Sequence, residues 1–235
     1  MTGAVYSGAM TTTAAEPVKP SPVRDTYRFG DGPVPVLQPG TLGWSVADVE
    51  DPATYALWSR GRYEILNGVL AVMPPAFFYG GSAADNLKYM LRDHFRAQGE
   101  RLLTSAEVDV AVTDVQVVRA DAVAIWGDDL PRFESLVLPP PRTHWSEHVL
   151  TLPPTLVIEA VSQGHEVHDR QTKRRWYAGF GVRHYWIVDG LRRTLDCLLL
   201  DGDDYGEVGA GRDGDVVRPA SLDGFAVPLA DVWVR

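Results

Sequence analysis

One segment restricts the fold of this chain more than any other: a nearly continuous apolar run at residues 156–161 that carries a single acid, Glu159. Such runs are typical of a central strand buried on both faces. A helical segment follows at residues 169–178, and a second buried strand is predicted at residues 184–188. A strand, helix, strand unit of this kind predicts a crossover within one sheet, and therefore a mixed α/β fold.

Antiparallel strands are predicted on both sides of this unit. Tyr63 to Leu66 and Val69 to Val72 flank Asn67-Gly68, a dipeptide that tolerates positive φ in a two-residue hairpin turn. Helices are predicted from Ser45 and from Ser82 to about Gly99, and further strands at residues 102–112, 116–126, 195–200 and 216–217. The prolines of residues 127–154 predict no regular core element there.

The chain divides into an arm and one domain. Residues 1–40 contain Pro17, Pro20, Pro22, Pro33, Pro35 and Pro39 and show no helical or alternating pattern, which predicts a mobile arm. The 235 residues are 45% hydrophobic, enough for one sizeable core, which we assign to residues 41–235.

Charge and cysteine content exclude several classes of protein. The formal net charge is −9, so bulk charge cannot hold the chain to nucleic acid, and a polyanion would need a local basic patch or metal ions. The single Cys197 cannot form an intrachain disulfide, and no secretion signal or membrane-spanning apolar run is visible. We therefore expect a cytoplasmic protein without a membrane segment.

Two acids lie within predicted apolar strands, Asp121 at residues 117–126 and Glu159 at residues 156–161. Burying a carboxylate is costly unless a charge compensates it, and two carboxylates from different strands can hold a hard divalent cation. Structural ion pairs with arginines are the alternative interpretation, and the two acids alone do not decide between them.

The following helix adds a lysine to these acids. Asp169, Lys173 and Tyr177 have i, i+4, i+8 spacing and line one helical face, with Lys173 near the end of the preceding strand. A lysine beside a metal can orient or deprotonate water and stabilise negative charge on a phosphate. The alternatives are a solvated salt bridge from Lys173 to Asp169 and an N-cap role for Asp169.

These segments together resemble the Uma-type family of putative restriction endonucleases, within the PD-(D/E)XK nuclease superfamily. The resemblance covers roughly residues 44–235 in order. The matching segments are residues 63–68, residues 120–123, residues 156–162, Asp169 with Lys173 and Tyr177, and residues 181–189. The resemblance implies a restriction-endonuclease-like mixed central sheet flanked by helices, with an antiparallel N-terminal hairpin and C-terminal strands. It also implies a metal-dependent phosphodiester site, DNA as the substrate and a homodimer.

The resemblance also implies roles for individual residues. Asp121 matches the first acidic motif and Glu159 the second, and both would bind Mg²⁺, or Mn²⁺ in its place, with the Ala160 carbonyl as a further ligand. The superfamily's common lysine position is Val161 here, and Lys173 matches the Uma-type alternative on the next helix. Glu64 matches an acid on the opening hairpin and would support the metal or water.

The chain departs from the family pattern at two places. Ala120 stands where a proline is usual, and residues 76–83 lack the histidine that many members carry. The most basic stretch surrounds the helix, and within it Arg170 and Arg174 are assigned to phosphate binding. A transition-metal site at His165 and His168 is a weaker hypothesis than solvated side chains.

The sequence thus leads to one main functional hypothesis and two alternatives. The main one is a Mg²⁺-dependent DNA endonuclease with Asp121, Glu159 and Lys173 as catalytic residues and Glu64, Asp169 and Tyr177 in support. The second is a DNA-binding or regulatory protein that keeps the nuclease scaffold with little turnover. The third is hydrolysis of RNA or a small nucleotide.

Overall fold

The computed structural model describes residues 26–29, 32–35, 37–73, 78–137 and 149–233. Most of the predicted arm at 1–40 lies outside these residues, so its mobility stays a prediction. Within the arm, Thr26–Phe29 pairs antiparallel with Gly32–Pro35, a short hairpin that no sequence pattern predicted.

The helices and strands follow one another in a mixed order. The helices are α1 (Val46–Glu50), α2 (Pro52–Trp58), α3 (Phe78–Ala97), α4 (Leu130–Val137) and α5 (Arg174–Phe180). The strands are β1 (Thr26–Phe29), β2 (Gly32–Pro35), β3 (Tyr63–Leu66), β4 (Val69–Val72), β5 (Leu102–Thr113), β6 (Gln116–Trp126), β7 (Val149–Leu150), β8 (Leu156–Ala160), β9 (His184–Asp189), β10 (Thr194–Asp201), β11 (Asp204–Arg212), β12 (Val216–Val217) and β13 (Val227–Pro228). A π-helical turn, His168–Lys173, leads directly into α5.

Nine of the described strands form one mixed sheet, which confirms the predicted fold class. Its main path runs β11-β10-β9-β8-β6-β3-β4, and β5 pairs with β6 and with β7. Strands β8 and β9 are parallel, with the π turn and α5 between them in the chain. The predicted crossover is therefore present, and every residue of β8 and β9 is buried.

Helices cover both faces of the sheet. Leu87 and Leu91 of α3 belong to one apolar cluster with Ile158 of β8, whereas Tyr177 of α5 belongs to a second cluster with Val157. Successive residues of a strand point to opposite faces, so β8 sits between the two helical layers. Glu159, two residues after Val157, therefore belongs to the α5 side.

The opening hairpin has the predicted turn. Asn67 and Gly68 have φ values of 53° and 79°, as a two-residue turn of this type requires. The next helix, α3, begins at Phe78, four residues before the predicted start at Ser82.

The expectation of no regular element at residues 127–154 is wrong for part of that range. A 3₁₀ turn at Gly127–Asp129 leads into α4, and β7 pairs with β5. Helix α4 tolerates Pro131 because the proline lies in its first turn, where its missing N–H has no intrahelical partner to lose. In the described part of the chain, no helix combines the length and apolarity needed to cross a bilayer.

The first residue of β9, His184, gives the fold a measurable pH dependence. Its ring packs against Trp126 with Nδ1 3.3 Å from Ser221 Oγ, and only 3% of the residue is exposed. Burial, with a further contribution from Arg183, lowers the pKa of His184 to about 4. The unfolded chain has the ordinary pKa of about 6.5 and binds the proton more readily between these values.

We therefore expect the free energy of unfolding to fall as the pH drops from about 6.5 to about 4, by about 2–3 kcal/mol from this residue. Urea denaturation across this pH range measures the effect. Over the same pH range, the free energy of unfolding of His184→Gln should fall less than that of the unaltered protein. Equal pH slopes for the two proteins would show that the imidazole carries no such linkage.

Candidate active site

Carboxylates from three strands and the π turn converge on one cleft. The cleft is lined by four acids, Glu64, Asp121, Glu159 and Asp169, together with Lys173 and Ala160. All six residues were predicted from the sequence as site residues, and the structure brings all of them together.

Asp121 and Glu159 meet because their strands are antiparallel neighbours. The last pair in the β6–β8 ladder is Ala122 with Ile158, and one further step sets Asp121 opposite Glu159. Oδ2 of Asp121 accepts a hydrogen bond of 2.8 Å from the Ala160 N–H, which fixes this carboxylate at the end of β8. Like charges opposite each other destabilise a sheet, so this pair needs a compensating cation.

Both carboxylate oxygens of Glu159 accept hydrogen bonds from the helical layer. Tyr177 donates its hydroxyl to Oε1 at 2.7 Å, and Lys173 Nζ donates to Oε2 at 3.1 Å. Glu159 is only 1% exposed. Burial raises the pKa of Glu159 well above its ordinary value; Lys173 opposes this effect, and the nearby Asp121 and Asp169 add to it.

The ammonium group of Lys173 joins three elements. Besides Glu159, Nζ lies 3.2 Å from Glu64 Oε1 and 3.3 Å from the Arg119 carbonyl. Burial alone would lower the pKa of Lys173, but the surrounding carboxylates, led by Glu159 and Glu64, raise it above its ordinary value. The lysine is therefore charged, and its side chain is only 5% exposed, which excludes the alternative of a solvated salt bridge with Asp169.

Glu64 has one carboxylate oxygen, Oε2, that is buried without a hydrogen-bond partner among the described residues. Its other oxygen, Oε1, accepts the Arg119 N–H at 3.1 Å. His168 Nε2 lies 3.6 Å from Oε2. Burial raises the pKa of Glu64, but Lys173 and His168 outweigh burial and leave the pKa below its ordinary value.

Asp169 closes the cleft from the π turn. Its Oδ2 accepts the Ser162 N–H at 3.1 Å, and burial raises its pKa. A π turn is wider than an α turn and is frequent at functional sites. The sequence predicted a continuous α-helix here, and the common face of Asp169, Lys173 and Tyr177 is nevertheless present, since all three are buried.

The structure does not bring Arg170 and Arg174 to the cleft. Arg170 donates to Asp196 at 2.6 Å, and Arg174 makes two hydrogen bonds to Asp204. Neither belongs to the described residues that line the cleft. Their phosphate-binding role stays a prediction, and it would require each arginine to leave its carboxylate partner.

A comparison with protein-family models shows the family to which this chain belongs. The model described as "Uma2: Putative restriction endonuclease" matches residues 52–230, which include every carboxylate of the cleft. This chain belongs to the Uma2 family. No curated protein matches the sequence.

A solved structure shows the same fold as this Uma2 chain. The crystal structure of a putative nuclease belonging to DUF820, from Anabaena variabilis, superposes with a TM-score of 0.53 at 11% sequence identity. The match covers 72% of this chain and 88% of the other. At this identity the likeness concerns the fold, and it agrees with the restriction-endonuclease-like architecture predicted from the sequence.

Two arginines of the Uma2 cleft were missed by the sequence analysis. Arg119 makes two hydrogen bonds to Asp109, at 2.8 and 2.9 Å, and Arg62 contacts Asp121 at 3.4 Å. The arginine pairing that the sequence left open for Asp121 is therefore present. Arg62 stands two residues before Glu64, so strand alternation could have placed both on one face.

The donor set of the Uma2 cleft fits a hard divalent cation. Four carboxylates surround one buried ammonium group, and Oε2 of Glu64 is buried without a partner. Oxygen ligands of this kind suit Mg²⁺ or Mn²⁺. In residues 37–73, 78–137 and 149–233, however, no three His, Cys, Asp or Glu side chains are grouped as metal ligands. Asp121 and Glu159, with the Ala160 carbonyl, are the residues that the family resemblance assigns to the cation, and all three line the cleft.

Proposed function

We propose that this protein is a metal-dependent endonuclease that hydrolyses phosphodiester bonds of DNA. The observation that carries the proposal is the convergence of Asp121, Glu159 and Lys173 on one cleft, in a chain of a family described as putative restriction endonucleases. The two carboxylates supply hard oxygen ligands for a cation, and the ammonium group supplies a fixed positive charge. Both features favour hydrolysis of a phosphate ester.

Asp121, Glu159 and the Ala160 carbonyl are the proposed ligands of Mg²⁺, with Mn²⁺ as a substitute. The bound cation would polarise a phosphoryl oxygen and lower the pKa of the attacking water. Asp121 is held in place by the Ala160 N–H, and Glu159 is oriented by Tyr177. Both carboxylates are thus fixed before a ligand arrives, which reduces the cost of ordering them.

Lys173 is proposed to stabilise negative charge on the phosphate. Its pKa is raised by the surrounding carboxylates, so the amine keeps its proton and is unsuited to abstract one from water. Glu64 shares the ammonium with Glu159 and positions it, while Asp169 closes the cleft beside Ser162. Homodimer formation and a cytoplasmic location stay predictions from the sequence.

Incubation with DNA and a divalent cation tests the proposal directly. Linear, circular and single-stranded DNA are each mixed with the protein in Mg²⁺, in Mn²⁺ and in EDTA, and the products are separated by electrophoresis. We expect cleavage with either cation and none in EDTA. RNA and a cyclic dinucleotide in parallel reactions identify the preferred phosphodiester, and faster hydrolysis of either one would overturn DNA as the substrate.

The saturation of Glu159 favours a second candidate function. Both of its carboxylate oxygens already accept hydrogen bonds, from Tyr177 and from Lys173. A carboxylate held in this way can act as a structural anchor in a DNA-binding or regulatory protein with little turnover. Metal-independent DNA binding without cleavage of any of the DNA forms would support this second function over the first.

A further inference from the structure

Arg62 lies between two carboxylates at the more open side of the cleft. Its Nη1 donates to Glu107, and its Nη2 is 3.4 Å from Asp121 Oδ1. The side chains of Glu107, Arg62 and Asp121 are 58%, 24% and 12% exposed, so exposure falls from Glu107 through Arg62 to Asp121.

The backbone of Arg62 is fixed on both sides. Its carbonyl accepts the Met73 N–H at 2.7 Å, and the preceding Gly61 carbonyl accepts Arg119 Nη1 at 2.8 Å. Arg119 is itself locked by its two hydrogen bonds to Asp109. The position from which the Arg62 side chain extends is therefore set by the fold.

The guanidinium group of Arg62 is not saturated. Its Nε is buried and has no hydrogen-bond partner among the described residues. The 3.4 Å contact of Nη2 with Asp121 is long for a charge-assisted hydrogen bond. Nη2 is thus weakly held by Asp121, and Nε is a donor without a partner among the described residues.

Glu107 explains why an arginine is held here. It stands between Ala106 and Val108 on β5, whose partners Ala122 and Ala120 flank Asp121 on β6. Glu107 has a φ of 50°, a left-handed conformation that residues other than glycine rarely adopt, and it is absent from the ladder. Arg62 bridges Glu107 and Asp121 and compensates two acids that would otherwise repel each other.

We propose that Arg62 binds a phosphate of the DNA strand, exchanging its contact with Asp121 for that phosphate when a cation occupies the acids. The inference rests on the proposed function. A guanidinium is a planar fork that matches two phosphate oxygens, and Nη2 and Nε supply two adjacent donors. A cation at Asp121 would compensate the same carboxylate that Nη2 contacts, so metal and phosphate together replace the arginine–carboxylate pair.

DNA binding without cleavage tests the phosphate contact. Fluorescence anisotropy of a labelled DNA duplex is measured in Ca²⁺ over a series of salt concentrations. Arg62→Met is expected to weaken binding about tenfold and to reduce the slope of log K against log salt by about 0.9. Arg62→Lys should recover part of the loss, since it keeps the charge without the fork.

The matched control is Arg212→Met. Arg212 is 72% exposed and ends β11, at the opposite end of the sheet path from β3 and β4. We expect its replacement to leave the affinity and the salt slope unchanged. An equal loss in the Arg212 and Arg62 variants would mean that general charge is responsible, and would overturn the inference.

Mn²⁺ binding by the protein alone tests the exchange at Asp121. Arg62→Met should bind Mn²⁺ about two- to fivefold more tightly, because the guanidinium group no longer competes with the metal ion for Asp121. This factor corresponds to the energy of a partly exposed ion pair. Glu107→Gln keeps Arg62 and removes its other partner, so it should tighten DNA binding by a similar factor. This second variant keeps the test decisive if Arg62→Met folds poorly.

The outcomes separate this inference from the proposed function. If the unaltered protein binds Mn²⁺ and cuts DNA, but Arg62→Met and Glu107→Gln change neither DNA affinity nor salt slope, only the role of Arg62 is overturned. If the unaltered protein binds neither Mn²⁺ nor DNA, the proposed function fails and the inference fails with it.

Discussion

Replacing Lys173 by Met is expected to lower the free energy of unfolding by about 3–5 kcal/mol, the usual cost of removing one partner from a buried charge pair. The Lys173 side chain is 5% exposed, and Nζ contacts Glu159 at 3.1 Å and Glu64 at 3.2 Å. Without the ammonium group, both buried carboxylates lose the main positive charge that compensates them. Urea denaturation at neutral pH measures the loss.

A surface arginine provides the control for this prediction. Arg96 of α3 pairs with Asp93, and the two side chains are 71% and 74% exposed. We expect Arg96→Met to cost less than about 1 kcal/mol. Adding Glu159→Gln to Lys173→Met should restore part of the stability, since one uncompensated charge disappears. If Lys173→Met costs no more than Arg96→Met, the buried ion pairs do not stabilise the fold.

Asp121→Asn and Glu159→Gln are each expected to reduce metal-dependent DNA cleavage at least about a hundredfold, the scale on which removing one charge-stabilising group slows an enzyme. Each substitution keeps the size of the side chain and removes its negative charge, so it weakens cation binding directly. Initial cleavage rates in Mg²⁺ and Mn²⁺, with Mn²⁺ affinity measured alongside, test this expectation.

The control for the acids is Asp93→Asn. Asp93 lies on α3, is 74% exposed and pairs with Arg96 away from the cleft. Its variant should cut DNA at the rate of the unaltered protein. Urea denaturation of all three variants separates loss of chemistry from loss of fold. Full cleavage by a folded Glu159→Gln protein would remove Glu159 from the proposed metal site.

The elements that the sequence predicts well are those with a strong local signal. The dipeptide Asn67-Gly68 strongly favours a tight turn. The apolar run at residues 156–161 has too few polar side chains to form an exposed strand. Glu159 stood out as an acid in an apolar run, and Lys173 through its helical spacing with Asp169 and Tyr177; in the structure each is the other's partner.

The features that the sequence did not predict depend on contacts between distant segments. Helix α4 forms in a proline-rich stretch because Pro131 falls in its first turn, and neighbouring prolines obscured that position. Arg62 and Glu107 are 45 residues apart, and the pairing of β5 with β6 on either side of Glu107 brings it near Asp121. Nothing in the local pattern of either residue indicates this contact.

The cleft has a consequence for protein synthesis, because its parts enter the chain in a fixed order. Glu64 is made first, then Asp121 and Glu159, and Lys173 last of the four. A nascent chain released before Lys173 holds the acids without their ammonium counter-charge, and it also lacks β9, the parallel neighbour of β8. Prematurely terminated copies therefore carry no assembled cleft.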